Sequence, residues 1–428
     1  MAMAGRETHA ANRSRTYAWF VVGVLWVVVT LNYADRQAIF SLFPLLRREL
    51  AASNIALGSM ASVFLWVYAA VSPFAGYLGD RFRRRDVIIA SLVLWSLVTT
   101  ATGLATTAVG LIVLRGLMGV SEACYMPTGL ALIADYHGPR RRSTAVALHQ
   151  SGVYIGIIVG GVFAAYMGDH LGWRYAFYCL GGVGIALAIF LGFVLQDAPR
   201  GDAGTAASEG RERLAQGSIR HNYAVLLRIP TVLILSVVVM VFSIYFWILT
   251  VWMPLFFYQE FAMSLTRAAF TATAYTQIAS VVGILIGGVT ADYSARCHVR
   301  ARMWVQFVGI MVPAPFLLLL GLSRSLVLAV VAMIVFGFGR GAWDCNNMAI
   351  LCDVAPPEMW ASAYGLYNLA GMLGGGVGTL LVGVLASRIG LRAIISSTAP
   401  LALLAGSLLW IGATKFLAED MLRIGDAG

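Results

Sequence analysis

"GYLGDRFRRR", Gly76 to Arg85, joins two apolar runs, 57–79 and 87–107, and its opening returns in degenerate form about 212 positions later as "GVTAD", Gly288 to Asp292. The echo is not confined to that hinge. A shift of about 218 positions lays Ala134-Asp135 on Cys352-Asp353, Gly156 on Gly374, Gly160 on Gly378 and "GWR" 172–174 on "GLR" 390–392. A chain whose halves repeat in the same order is expected to build two parallel, similar bundles.

Composition says what those bundles are made of. Of 428 residues 60% are hydrophobic and 12% charged, against roughly 25% charged in soluble domains. Apolar runs of about 20 residues or more, enough to cross a bilayer as helix, fall at about 17–46, 57–79, 87–107, 109–135, 143–167, 173–196, 231–258, 268–291, 302–322, 325–353, 361–386 and 392–416. The fold class that follows is an all-α integral membrane protein with twelve transmembrane helices in two pseudo-symmetric six-helix bundles. Its parts are an N-terminal tail 1–16, a bundle 17–196, a linker 197–230, a bundle 231–416 and a C-terminal tail 417–428. The linker reading rests on "QDAPRGDAGTAASEGRERLAQGSIRHN", a Gly-, Ala- and charge-rich interruption.

Arginine and lysine place the ends. With a cytoplasmic N-terminus, 20 basic residues fall on that side and 7 on the other, so the positive-inside rule puts both termini in the cytoplasm, in the inner (plasma) membrane. The net charge of +10 is then topological, and no nucleic-acid partner is required. The short polar N-terminus lacks a cleavage site before the first span, so no removed leader is expected. Five cysteines without metal-type spacing argue against a disulfide framework or a metal site. The chain carries no "GxxxxGK", no paired metal-spaced histidines and no Gly-x-Ser-x-Gly, which speaks against ATP-driven transport and against an enzyme.

Six charges interrupt the apolar runs: Asp35 and Arg36 in the first, Arg115 and Glu122 in the fourth, Arg340 and Asp344 in the tenth. Each would cost roughly 2.5–3.5 kcal/mol alone at the bilayer centre, so they must be paired or wetted. Arg115 and Glu122, two helical turns apart, share a face and can look into one cavity. Asp35 and Arg36, as neighbours, point differently, and Asp35 is expected to pair with an arginine of another helix. Arg340 and Asp344, at i, i+4, read equally well as a structural ion pair.

At this point the residues resemble a family. "GYLGDRFRRR", with Gly76, Asp80, Arg81 and Arg84, looks like the loop motif of the major facilitator superfamily, where it serves as a gating latch. "NYADR" in helix one and "RGLMGVSEACYMP" in helix four resemble the anion:cation symporter branch, which includes bacterial sugar-acid symporters and the sialin type; "SEACY" and "LIADY" resemble spinster-like transporters too. The resemblance implies a proton-coupled symporter of a small organic anion working by alternating access, with Asp35 and Glu122 as the protonated acids, Arg36 as the anion contact and Arg115 paired with an acid. A lysolipid or other amphiphile carrier and a drug:proton antiporter are the alternatives. "SGVYIGIIVGG", Ser151 to Gly161, resembles the antiporter motif except for Ile157 where that motif has proline.

The implied chemistry is expressible from the residues alone. Arginine keeps its proton and offers a planar fork to a carboxylate, while a buried carboxyl is pulled oppositely by desolvation and by a nearby cation. Proton and anion therefore share one Arg-acid network, and the proton is the only coupling ion or cofactor expected. Polar candidates around it are Asn32, Tyr33 and Gln37, Gln150 and Tyr154, Tyr275 and Gln277, Asn346 and Asn347, and Tyr367 and Asn368, with Gln150 and Asn368 equivalent under the repeat. His149 reads as satisfied structure. Gly152, Gly156 and Gly160 form a close-packing stripe, for which Gly371, Gly374, Gly375, Gly376 and Gly378 offer a matching partner. The expected partners are a small anion and the bilayer, and the expected state is a monomer.

Overall fold

The computed structural model describes residues 2–137, 139–197, 219–356 and 359–425. Most of the expected linker, 198–218, lies outside the described residues, as do the side chains of 1–15, Gly76 and Asp80. The described residues form twelve apolar spans and no strand: α1 (Thr16–Ser41), α2 (Asn54–Ala75), α3 (Arg84–Leu104), α4 (Ala108–Tyr136), α5 (Thr144–His170), α6 (Trp173–Val194), α7 (Pro230–Glu260), α8 (Leu265–Ala295), α9 (Ala301–Leu322), α10 (Leu326–Val354), α11 (Ser362–Ser396) and α12 (Thr398–Arg423). Twelve alternating spans bring both chain ends out at one end of the molecule, the near end; the opposite end is the far end.

The repeat is visible in how helices start and turn. At the far end α2, α4, α8 and α10 open on Ser53, Thr107, Ser264 and Ser325, each accepting a backbone N–H three residues on, at 3.1 to 3.4 Å. Such caps contribute about 1 kcal/mol each. Thr107 and Ser325 are equivalent under the 218-residue shift. So are Gly172 (φ +103°) and Gly390 (φ +79°), the glycines of "GWR" and "GLR", which occupy left-handed backbone where a side chain would strain. α11 therefore runs past the expected end at 386 and turns at Gly390.

Several runs that read as continuous are broken. The first stops at Ser41, and Phe43–Glu49 is a separate short helix with Pro44 in its first turn. α4 divides into Ala108–Glu122 and Tyr125–Tyr136, because Pro127 has no N–H for the carbonyl of Ala123. α10 divides into Leu326–Asp344 and Asn347–Val354 without a proline. Residues 417–425, read as tail, are helical; Asp420 is buried and accepts the Thr231 N–H at 2.9 Å, capping α7.

Within each half a glycine stripe lets two helices touch backbone to backbone. Gly152, Gly156 and Gly160 of α5 lie against Val29 to Ala34 of α1, and Gly374 and Gly378 of α11 lie against Met240 and Ile244 of α7. The two stripes are counterparts, each packed on its own partner, and do not meet each other as the sequence pattern suggested. Leucine at Gly160 has only Ala34 backbone to enter, so Gly160→Leu is expected to cost about 3 kcal/mol or more and to lower the thermal midpoint and monodisperse yield. Gly182→Leu, with open space around it, should change neither.

The halves meet through α2 with α11 and α5 with α8, and their hydrogen bonds gather toward the far end. Ser62 donates to Gly376 O at 2.7 Å and lies 2.8 Å from the Thr379 hydroxyl. Asp169 accepts both the backbone N–H and the hydroxyl of Thr266, at 3.0 and 2.7 Å, capping α8 from the other half. Gly58 and Gly383 admit the facing backbone: a Cβ at either would stand 2.6 Å from a carbonyl oxygen across the interface. These contacts seal the far end.

Candidate functional site

Between the halves lies a cavity of about 240 Å³ bordered by α1 and α5 on one side and α7, α10 and α11 on the other. It is small beside the roughly 300–1,000 Å³ of drug-sized sites. Its cations are Arg36 and Arg340, its acid is Asp344, and Tyr33, Gln37, Ser243, Thr250, Asn347, Tyr364, Tyr367 and Asn368 supply hydroxyls and amides.

Arg36 is fastened from behind. Its Nε donates to Glu122 Oε2 at 2.5 Å, across 86 residues of sequence, and the Glu122 side chain has no solvent exposure. The guanidinium carbon stands 4.6, 4.8 and 5.1 Å from the ring centres of Tyr33, Tyr68 and Phe64. A planar cation stacks on such faces as an ammonium cannot. Glu122 closes the first segment of broken α4, so the Pro127 interruption sets the end of the helix at the acid.

The other two charges of this half lie behind the cavity wall and do not line it. Arg115 and Glu122 share a face, as their spacing requires, but that face is buried beneath Arg36. Arg115 was expected to pair with an acid; instead its Nη1 donates to Met118 Sδ at 2.8 Å and its guanidinium lies 4.6 Å from the ring centre of Phe64, the ring that also neighbours Arg36. The physical reason is that Arg36 takes the Glu122 carboxylate. Asp35 likewise meets no arginine within ion-pair distance among the described residues; Thr99 donates to it at 3.3 Å, and Arg115 and Glu122 are near enough for it to feel both charges. The four groups form one buried cluster of zero formal charge.

On the opposite wall Arg340 and Asp344 do form their i, i+4 pair, at 3.3 Å. Arg340 also donates to Gln277 at 3.1 Å and lies 4.4 Å from the Phe246 ring centre and 5.7 Å from that of Tyr154, a residue of the other half. Tyr33 and Asn368 border the cavity as their positions suggested. Gln150 is half-buried and off the cavity lining, and Asn32 is buried behind the wall. Asn346 does not reach it either: its Nδ2 donates to Ala342 O at 3.1 Å, bridging the break in α10, and Asn347 takes the lining position with Gln306 donating to its Oδ1 at 2.6 Å. Tyr125 donates to Leu25 O at 2.8 Å, so the 2.9 Å contact between its oxygen and His149 Nε2 makes the histidine the donor, a structural role.

Of the near-end motif, Arg81 is exposed, and Arg84 donates to Ala131 O at 2.9 Å and pairs with Asp135. The counterpart under the repeat is Arg302 with Asp353, at 2.7 Å. Both pairs stay within one half. No group of His, Cys, Asp and Glu among the described residues could hold a metal ion.

Comparison with known proteins agrees with this architecture. The chain is 25% identical over 404 residues to the probable galactarate/D-glucarate transporter GudP of Bacillus subtilis (strain 168), covering 89% of this chain and 88% of that protein. It is 24% identical to the D-galactonate transporter of Escherichia coli O6:H1 (strain CFT073), covering 94% and 96%. The fold matches the crystal structure of a bacterial homolog to human lysosomal transporter Spinster in the inward-facing and unoccupied conformation with TM-score 0.83 at 19% identity, over 94% of this chain and 98% of that one. The model of the Major Facilitator Superfamily matches residues 25–379. With twelve spans, two repeated halves and a cavity between them that holds two arginines and an aspartate, the chain is a multi-pass membrane transporter and belongs to the Major Facilitator Superfamily.

Proposed function

We propose that this transporter is a secondary active symporter that moves a small organic anion, a sugar acid or another carboxylate, together with protons, by alternating access. The observation that carries the reading is Arg36: a cation at the cavity wall, stacked on three rings, whose one acidic partner among the described residues, Glu122, lies off the cavity lining. With Glu122 ionised, the pair is neutral and the anion finds a satisfied arginine. With Glu122 protonated, the fork is free for the incoming carboxylate, and the loaded site returns to neutrality. Asp35, one helix position away and held by Thr99, is the second proton acceptor of the same cluster. The near end is the cytoplasmic one, and the membrane is the inner membrane.

The cavity's small size and its two arginines favour a small anion over a lysolipid, whose acyl chain needs a longer slot. The sugar acids named for the relatives supply the probes. Proteoliposomes preloaded with unlabelled D-glucarate or D-galactonate are expected to exchange labelled sugar acid by counterflow. If neither sugar acid exchanges while a fluorescent lysophospholipid does, the amphiphile reading replaces this one. Alternating access has its own test in the 2.8 Å approach of Ser62 and Thr379. Ser62→Cys with Thr379→Cys should form a disulfide under mild oxidant and stop net uptake, and reductant should restore it. Undiminished uptake by the crosslinked protein would contradict a far end that opens.

A further inference from the structure

The two cations of the cavity stand on different halves, and their surroundings follow one plan. Arg36 of the N-terminal half is held by Glu122, the last residue of the first segment of α4. Arg340 of the C-terminal half is held by Asp344, the last residue of the first segment of α10. Both guanidiniums lie over aromatic faces, and each pair sits where a helix is interrupted, the setting in which membrane carriers bind ions and charged cargo. The pairs differ in one respect. Glu122 is fully buried behind Arg36, whereas Asp344 itself borders the cavity with 30% of its side chain exposed. A structural ion pair needs no access to the transport cavity; this one has it on both members.

We infer that Arg340 is a second anion-binding position, so that the cargo is a dianion with one acidic group on Arg36 and the other on Arg340, and that Asp344 is the acid whose protonation releases Arg340. This rests on the organic-anion reading of Arg36 and narrows it. Charge balance supports the assignment: the three arginines Arg36, Arg115 and Arg340 and the three acids Asp35, Glu122 and Asp344 sum to zero. A dianion enters such a site without net charge only if two protons accompany it, and each of the two cavity arginines has its own carboxyl to take one. A monoanion leaves Arg340 with Asp344 and needs one proton. Because Arg36 and Arg340 come from opposite halves, a dianion spanning them also draws the halves together.

The test compares D-glucarate with D-gluconate, six-carbon chains with two carboxylates and with one, for binding to the purified full-length protein by calorimetry. Wild type is expected to bind D-glucarate roughly tenfold or more tightly than D-gluconate, as one further charge-assisted contact provides. Arg340→Gln should abolish the preference, with a much larger fold loss for D-glucarate than for D-gluconate. Asp344→Asn should do the opposite, tightening D-glucarate and flattening its dependence on pH, an outcome that misfolding cannot imitate. Equal loss for both ligands in Arg340→Gln, no preference in wild type, or weaker D-glucarate binding in Asp344→Asn would each overturn the inference. Arg36→Gln separates it from the reading beneath it. If that variant binds D-gluconate as wild type does, or if wild type binds neither sugar acid, the organic-anion site on Arg36 is wrong and the dianion proposal falls with it. A wild type that binds D-gluconate through Arg36 without preferring D-glucarate refutes the dianion alone.

Discussion

Arg36→Lys is expected to weaken sugar-acid binding roughly a hundredfold or more while the protein remains monodisperse. The charge is kept, so Glu122 retains a cationic partner and the buried cluster stays neutral. What is lost is the planar fork and its fit among Tyr33, Phe64 and Tyr68. Hydrogen bonds to charged groups are worth about 1.5–3 kcal/mol each, and an ammonium cannot make two parallel ones to a carboxylate. Loss of one such bond together with the stacking predicts roughly a hundredfold or greater loss of affinity, read by calorimetry or by protection against heat. Arg36→Lys binding D-glucarate within threefold of wild type would remove Arg36 from the cargo site.

Glu122→Gln is expected to separate exchange from accumulation. The amide imitates the protonated carboxyl in shape and leaves Arg36 permanently available. Counterflow should survive, and its dependence on pH should flatten. Concentrative uptake should fall, because the step that ties anion binding at Arg36 to a proton is gone. In magnitude, each coupled proton supplies 1.36 kcal/mol per pH unit, so an electroneutral carrier with one proton accumulates roughly tenfold across one unit and with two protons roughly a hundredfold. The variant should accumulate roughly tenfold less than wild type across one unit, the share of the proton on Glu122. Accumulation by Glu122→Gln equal to wild type would make Glu122 a structural partner of Arg36 and nothing more. Asp35→Asn, measured alongside, reports whether the second acid of the cluster carries a proton as well.

The architecture was legible because it is written in patterns one helix long. Apolar runs mark the spans, the 218-residue shift marks the halves, and Gly172 and Gly390 show why the shift holds: each supplies the same left-handed turn. The charged residues of the site were legible too, since burying six charges in apolar runs demands explanation. Their pairing was not. Spacing along α4 puts Arg115 and Glu122 on one face, but it says nothing of which helix that face meets, and the answer is Arg36, 86 residues away. Register failed at Asn346 for a related reason. The break after Asp344 resets the helical phase, so Asn347 faces the cavity and Asn346 bonds back to Ala342. Phe64 and Tyr68, the shelf for Arg36, carried one available signal, their i, i+4 spacing on α2, but an aromatic pair in an apolar helix looks like any other core.

Proton movement measured directly decides the account. Proteoliposomes enclosing a pH-sensitive dye, with equal pH on both sides and a sudden inward gradient of D-glucarate, should acidify inside as cargo enters, at a rate that follows labelled uptake. Entry of labelled D-glucarate with no change in internal pH, or with internal alkalinisation, would contradict proton symport through the Arg36–Glu122 pair.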